Sequence, residues 1–246
     1  MQDIRGKRAL VTGAGIRVGR AIADALVDAG AHVAFHHHGS ASGAEAGVVR
    51  ARQSGVTAVA LEADLFDDAA AQALPARAVE ALGGLDLVVN SAALFERVPF
   101  EQITAAQLDR LLGLNYRAPF LISQAATPAL QASRGCIVNL LDVAAERPWI
   151  GYAHYCAAKA ALRMLTLGLA KELAAEGVRV NGVRPGLIDT EIHASGGQPD
   201  RAARMTPLIP LGRPGRAAEV AAAVLWLLGD GASYCTGSIV DVAGGR

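Results

Sequence analysis

Arg8-Ala9-Leu10-Val11-Thr12-Gly13-Ala14-Gly15-Ile16-Arg17-Val18-Gly19 is the stretch on which the fold turns. The apolar run RALVT at residues 8–12 reads as a buried strand, and the glycines after it end the run. Beyond them Val18, Ile22, Leu26 and Ala29 recur on one face, so residues 18–29 read as a helix that Gly30 closes. A strand, a glycine turn and a helix in that order make the first unit of a parallel sheet.

The rest of the chain repeats that unit. Strands are expected at residues 31–36, 56–62, 85–89, 136–141, 178–183 and 238–242, with helices at 42–53, 68–82, 154–167 and 216–228. A long helix is expected over residues 105–131, with Pro119 and Pro128 disturbing it. Strands rich in Val and Leu alternating with helices specify an α/β fold, a Rossmann-type doubly wound parallel sheet of about seven strands with helices on both faces. No repeat, low-complexity tract or linker interrupts it, so residues 1–246 read as one domain.

Composition narrows the class. Of 246 residues 52% are hydrophobic and only 4% aromatic, so alanine and small aliphatic side chains supply the packing. The 23 basic and 23 acidic residues cancel and are dispersed, which argues against nucleic acid or a membrane surface as partner. Cys136, Cys156 and Cys235 are odd in number without metal-type spacing, as expected of reduced thiols in a cytoplasmic protein. Cys156 reads as a small core residue. The opening MQDIRGKR leads directly into a strand and does not read as a signal peptide, and no apolar run is long enough to span a bilayer.

In such a sheet, ligands gather at the carboxyl ends of the strands. Gly13 permits the tight turn, Gly19 lets the helix pack closely, and the helix N-terminus faces a pyrophosphate. The end of the second strand selects the nucleotide. An NAD site usually places Asp or Glu there, but this strand ends Phe35-His36-His37-His38-Gly39-Ser40, with no acid before Glu45. Arg17 supplies a cation and Ser40 a hydroxyl, which makes a 2′-phosphate pocket and points to NADPH. Strand alternation puts only His36 and His38 on one face, with no acidic or cysteine partner near in sequence, so a metal site is not expected.

The chemistry lies in DVAAERPWIGYAHYCAAK, residues 142–159. Tyr155 and Lys159 fall one helical turn apart on one face. A phenol of pKa about 10 needs roughly 4 kcal/mol to reach about 7. One cation at about 4 Å supplies that at an effective dielectric of about 20. Taken alone, the pair also fits a surface helix on which Tyr and Lys meet by chance.

With these pieces joined, the chain resembles the short-chain dehydrogenase/reductase family from Arg8 to Gly245. The resemblance makes Asp64, next to Leu65, the adenine-contacting aspartate, and Asn90-Ser91-Ala92-Ala93 the counterpart of Asn-Asn-Ala-Gly. It makes Asn115 the holder of a relay water, Tyr155 and Lys159 the catalytic pair, and Pro185-Gly186-Leu187-Ile188 with Thr190 the nicotinamide loop.

Two departures are similar to pteridine reductases: Arg17 stands where a glycine is usual, and Asp142 where the catalytic serine is usual. In that group His36, His38 and Ser40 match the 2′-phosphate segment, although Gly39 replaces its arginine. Phe95 falls where an aromatic ring stacks on the pterin, and Ala93 replaces a pterin-contacting serine; Arg17, Asp142 and Tyr155 complete the expected substrate contacts. A carboxylate bonded to the phenol suits proton delivery to a ring nitrogen. The residue before Pro185, Arg184, has no account in the sequence. Residues 187–212, with Gly196, Gly197, Pro199, Pro207 and Pro210, read as a mobile lid over the substrate.

The expected function is NADPH-dependent reduction of a dihydropterin or dihydrofolate. The alternatives are a carbonyl or 3-oxoacyl thioester reductase and a non-catalytic NADPH-binding sensor or scaffold. The resemblance also implies a homo-oligomer, most often a tetramer.

Overall fold

The structure, a computed structural model, describes residues 4–192, 198 and 200–246. Its strands are short and apolar: β1 (Arg8–Val11), β2 (His32–His37), β3 (Ala58–Glu62), β4 (Leu87–Asn90), β5 (Cys136–Leu140), β6 (Arg179–Pro185) and β7 (Ile239–Val242). All pair in parallel in the order β3-β2-β1-β4-β5-β6-β7. The chain therefore winds outward from β1 in one direction, then restarts at β4 and winds in the other. The crevice where the order reverses, at the carboxyl ends of β1 and β4, is where such sheets bind ligands.

Alternating side chains supply both faces of the sheet. Ala9 and Val11 of β1 face a core shared with α1 (Arg17–Asp28), α2 (Ala41–Gln53) and α8 (Ala217–Leu228). Leu10 faces the opposite core, shared with α3 (Asp68–Leu82), α5 (Ala118–Ser133) and α6 (Ala153–Glu172).

The long helix expected over residues 105–131 is not continuous. It is α4 (Ala105–Leu112), a π-helical turn (Gly113–Arg117) and then α5. Pro119 has no N–H to give the carbonyl of Asn115, so the ordinary ladder cannot continue there, and a wider turn takes its place. That turn carries Asn115 into the interior, where it is fully buried.

Of the expected lid, the described part includes buried Leu187 and Ile188, a bridge from Ile188 to Gly215, and α7 (Arg201–Met205). Gly196, Gly197 and Pro199 lie outside the described residues. Among those described, no helix is long and apolar enough to cross a membrane, and no cluster of His, Cys, Asp and Glu has the makings of a metal site. The three cysteines are free thiols.

Candidate active site

The first glycine turn is built as its sequence requires. Gly13 has φ of 66°, in the left-handed region, and a Cβ there would lie 3.0 Å from the Ala92 backbone. Gly19 starts α1 so close to the turn that a Cβ would fall 2.2 Å from the Gly13 carbonyl oxygen. The buried Thr12 hydroxyl accepts from the backbone N–H groups of Ser91 (2.9 Å) and Ala92 (3.0 Å), locking the ends of β1 and β4 together. Arg17 occupies φ of 55°, which costs a non-glycine residue roughly 1–2 kcal/mol. That strain explains why glycine is usual there. Ile16 at the N-cap of α1 offers no side-chain hydrogen bond, and a helix N-terminus at this place suits an anion.

Gly13, Arg17, Val18, Gly19 and Ser40 line one cleft of about 300 Å³ together with Asp64 and Leu65. Ser91, Ala92 and Ala93 follow from the end of β4, and Pro185, Gly186, Leu187 and Ile188 from the end of β6. Its far end is walled by Phe95, Asp142, Tyr155 and Lys159. A glycine-walled turn, a helix N-terminus and a cleft running from them to Tyr155 fit a bound dinucleotide.

Two assignments need correction. His36 lines the cleft, but it is 2% exposed, its Nδ1 accepts from the Gly13 N–H at 3.1 Å and its Nε2 lies 3.1 Å from the Ala63 carbonyl. Burial pushes its pKa down to about 4, so near neutral pH it is an uncharged brace for the turn rather than a phosphate-binding cation. His38 does reach the cleft, where its Nδ1 lies 3.6 Å from Asp64. Asn90 is buried, its amide donating to Asn139 (2.8 Å) and Ser123 (3.2 Å), so it ties β4 to β5 and α5 instead of facing a cofactor.

At the chemical end, the loop after β5 folds into a short turn capped by Asp142, whose Oδ1 accepts from the Ala144 N–H at 2.8 Å. Its Oδ2 accepts from the Tyr155 hydroxyl at 2.8 Å. Lys159 is buried and donates to the Leu140 carbonyl at 2.8 Å, with its Nζ 5.9 Å from the centre of the Tyr155 ring.

This overturns the expectation that Lys159 brings the phenol to neutrality. Burial, then the adjacent Asp142 carboxylate, push Tyr155 well above the usual phenol range. The carboxylate bonds the hydroxyl directly and the ammonium does not. Burial also pushes the Asp142 carboxyl up, against the opposing Ala144 N–H and Tyr155 hydroxyl, and lowers Lys159 to about 8. Tyr155 is thus held protonated, as a proton donor must be. Asn115 donates to the carbonyls of Leu94 (3.0 Å) and Leu111 (3.1 Å), and its buried Oδ1 has no partner among the described residues. That atom is an acceptor suited to a water.

Beside this group stands an aromatic cluster that sequence reasoning reached only through Phe95. The Phe95 ring is 8% exposed and stacks on Tyr152 (4.9 Å between centroids, 21° between planes). Tyr155 (5.0 Å) and Trp149 (6.5 Å) meet it at steep angles. Phe95 lines the cleft, with Tyr152 stacked on one face of its ring. Arg201, 7% exposed, lies against Phe95, Trp149 and Tyr152, its guanidinium carbon 5.3, 4.6 and 5.2 Å from their centroids. No motif marks Arg201. The usable signal was Trp149, Tyr152 and Tyr155 falling within one short segment of a chain otherwise poor in aromatic residues.

Arg184 also gains an account. It pairs with Asp241 of β7 through two contacts, at 2.6 and 2.7 Å, and with Glu146 in the loop after Asp142. Glu146 in turn holds Arg163 of α6 at 2.7 Å. This chain of charges fastens the Asp142 loop to the sheet edge and the Tyr155 helix.

A doubly wound sheet with a glycine turn at its switch point and a buried Tyr–Lys–Asp group across the cleft defines a dinucleotide-dependent oxidoreductase. The comparisons agree. Residues 13–246 match a family model described as enoyl-(acyl carrier protein) reductase. The oxidoreductase YgfF of Escherichia coli K12 is 41% identical over 97% of this chain and 99% of its own. The 3-oxoacyl-[acyl-carrier-protein] reductase FabG of Staphylococcus aureus Mu50 is 35% identical over 97% of both. A short-chain dehydrogenase from Burkholderia cenocepacia, solved in complex with NADP, superposes with a TM-score of 0.92 at 36% identity over 98% of both chains. The chain belongs to the short-chain dehydrogenase/reductase family.

Proposed function

We propose that this protein is an NADPH-dependent reductase of a small carbonyl substrate. The observation that carries the reading is the protonated Tyr155 hydroxyl, held 2.8 Å from Asp142 in the cleft that begins at the glycine turn. Arg17, Ser40 and the N-terminus of α1 would hold the 2′-phosphate and pyrophosphate, with Ser91, Ala92 and Pro185–Ile188 along the remainder. Bound there, the cofactor supplies a hydride. Tyr155 delivers the matching proton to the oxygen, since an alkoxide is a stronger base than a phenolate. Lys159 and a water on Asn115 refill it. The NADP-bound relative and the 3-oxoacyl reductase among the relatives support this reading.

A second reading, reduction of a pterin C=N bond, is favoured by Asp142 in the place of a serine and by Arg17. Asp142 would steer the Tyr155 proton toward a ring nitrogen. Phe95 lines the cleft beside this pair, with Tyr152, which does not line it, stacked on the ring. Following NADPH oxidation with a 3-oxoacyl thioester, a simple ketone, a quinone, a dihydropterin and a dihydrofolate separates the two. Turnover of the carbonyls but not the pterins supports the first reading. The reverse, with loss of pterin turnover in Asp142→Ser, supports the second. Tight NADPH binding with no turnover on any would leave a sensor or scaffold.

We propose in addition that the protein assembles as a homotetramer through α5 and α6, where Phe120 and Met164 are 38% and 63% exposed. Light scattering at micromolar concentration tests this, and a monomer would refute it.

A further inference from the structure

Arg201 is a buried cation with no ion pair among the described residues. Its Nη1 donates to the Tyr152 hydroxyl at a long 3.4 Å, and its buried Nε has no partner among the described residues. Nη2 makes no hydrogen bond among them either. Burying a guanidinium is costly unless its N–H groups are satisfied. The rings of Phe95, Trp149 and Tyr152 offset part of that cost through their faces, but no ring can satisfy the in-plane N–H groups. Nε and Nη2 together form the side-on fork with which arginine grips a planar pair of oxygens.

The charges around it favour the same occupant. The nearby carboxylate, Asp142, is committed, one oxygen to Ala144 and the other to Tyr155. Arg246 lies on the same Trp149 ring, 6.0 Å from its centre, and lines the same cleft as Arg201. Burial and then the charge of Arg201 lower its pKa, opposed only in part by Asp142. Both Arg201 and Tyr155 pack on Phe95, so a ligand only a few atoms long spans the fork and the proton donor.

We infer that Arg201, backed by Arg246, anchors a carboxylate on the substrate, so that the preferred substrates are oxo acids. The aromatic cage holds the guanidinium rigid. The carboxylate seats on its Nε–Nη2 edge, and the ketone of the same molecule reaches Tyr155. The reduction itself rests on the carbonyl reductase reading above; the anion site does not.

The experiment therefore has a catalytic and a binding arm. In the first, oxo acids with the ketone one to five carbons from the carboxylate are each compared with their methyl ester. At least one acid exceeds its ester more than tenfold in kcat/KM, and in Arg201→Met that ratio falls toward one. In the second, benzoate is titrated by calorimetry into the NADP⁺-loaded protein. It binds the unmodified protein, methyl benzoate does not, and Arg201→Met weakens benzoate about 10–150-fold, the worth of a charge-assisted hydrogen bond.

Arg201-dependent benzoate binding without turnover of any carbonyl would sink the reductase reading and leave the anion site standing. Turnover with acids no better than esters, and no benzoate binding, would overturn the anion site alone. So would an equal loss of NADP⁺ and benzoate affinity in Arg201→Met, since the anion would then be the cofactor's own. Should that variant fail to fold, the acid-to-ester ratio and the benzoate titration of the unmodified protein decide.

Discussion

The two ends of the cleft are built by different means. The cofactor end is made of backbone: Gly13 and Gly19, the first turn of α1 and the amides of Ser91 and Ala92, all within a residue or two of a strand end. The substrate end is made of large side chains, Phe95, Asp142, Trp149, Tyr152, Tyr155, Arg201 and Arg246, that meet from distant parts of the chain. Backbone sites tolerate little change but demand little identity beyond small size. Side-chain sites demand identity, and changing one residue alters the chemistry without moving the frame. Substitutions at the two ends should therefore fail in different ways.

The largest expected effect is at the side-chain end. Tyr155→Phe keeps the ring and its packing on Phe95 but removes the proton donor. Turnover should fall about 10²–10⁴-fold while NADPH affinity, measured by fluorescence titration, stays within a few-fold. Near-normal turnover would remove Tyr155 from the chemistry and blur the division between the ends.

At the backbone end, His36 makes the glycine turn sensitive to acid. Its folded pKa of about 4 lies below the unfolded value of about 6.5, so between those values the unfolded chain binds more protons. Stability should consequently rise with pH across this window, and fall as pH drops from about 6.5 toward 4, by up to about 3 kcal/mol. Denaturant midpoints of the protein and His36→Asn over that range test the assignment; parallel pH profiles would mean His36 is not the group responsible.

Arg17→Gly should separate two roles of one residue. Losing the charged contact to the 2′-phosphate should erode NADPH preference over NADH by roughly 10–150-fold. Relief of the positive φ should at the same time offset about 1 kcal/mol of strain. Equal use of both cofactors before mutation would show that the end of β2 does not select them.

Smallest is Gly19→Ala. The added methyl meets the Gly13 carbonyl, and shifting backbone to admit it costs about 1–3 kcal/mol. Melting temperature should drop by about 2–4 °C per kcal/mol, with cofactor affinity falling alongside. A variant stable yet unable to bind cofactor would show the turn more yielding than its contacts suggest.

These contrasts match what was legible in the sequence. Each strand expected from its apolar run lies within a residue or two of its place, as does the glycine turn, because both follow from neighbours along the chain. The Asp142–Tyr155 pair was also readable, because one loop and one helix turn bring it together. The broken helix at Asn115 was not. The spacing of Pro119 gave warning of it, but the π turn becomes worthwhile only once Asn115 finds the carbonyls of Leu94 and Leu111.

The sequence by itself determined the doubly wound sheet and the position of its ligand crevice, since local periodicity and strand order are enough for these. Only the tertiary structure decided the site's electrostatics and the shape of the substrate end. Burial turned His36 into a neutral brace and kept Tyr155 protonated against its lysine. Long-range packing stacked Phe95 on Tyr152 and brought Arg201 and Arg246 to the same ring. The cost of burying a charge, and the partner that offsets it, depend on what the fold brings within a few ångströms, and spacing along the chain does not encode that distance.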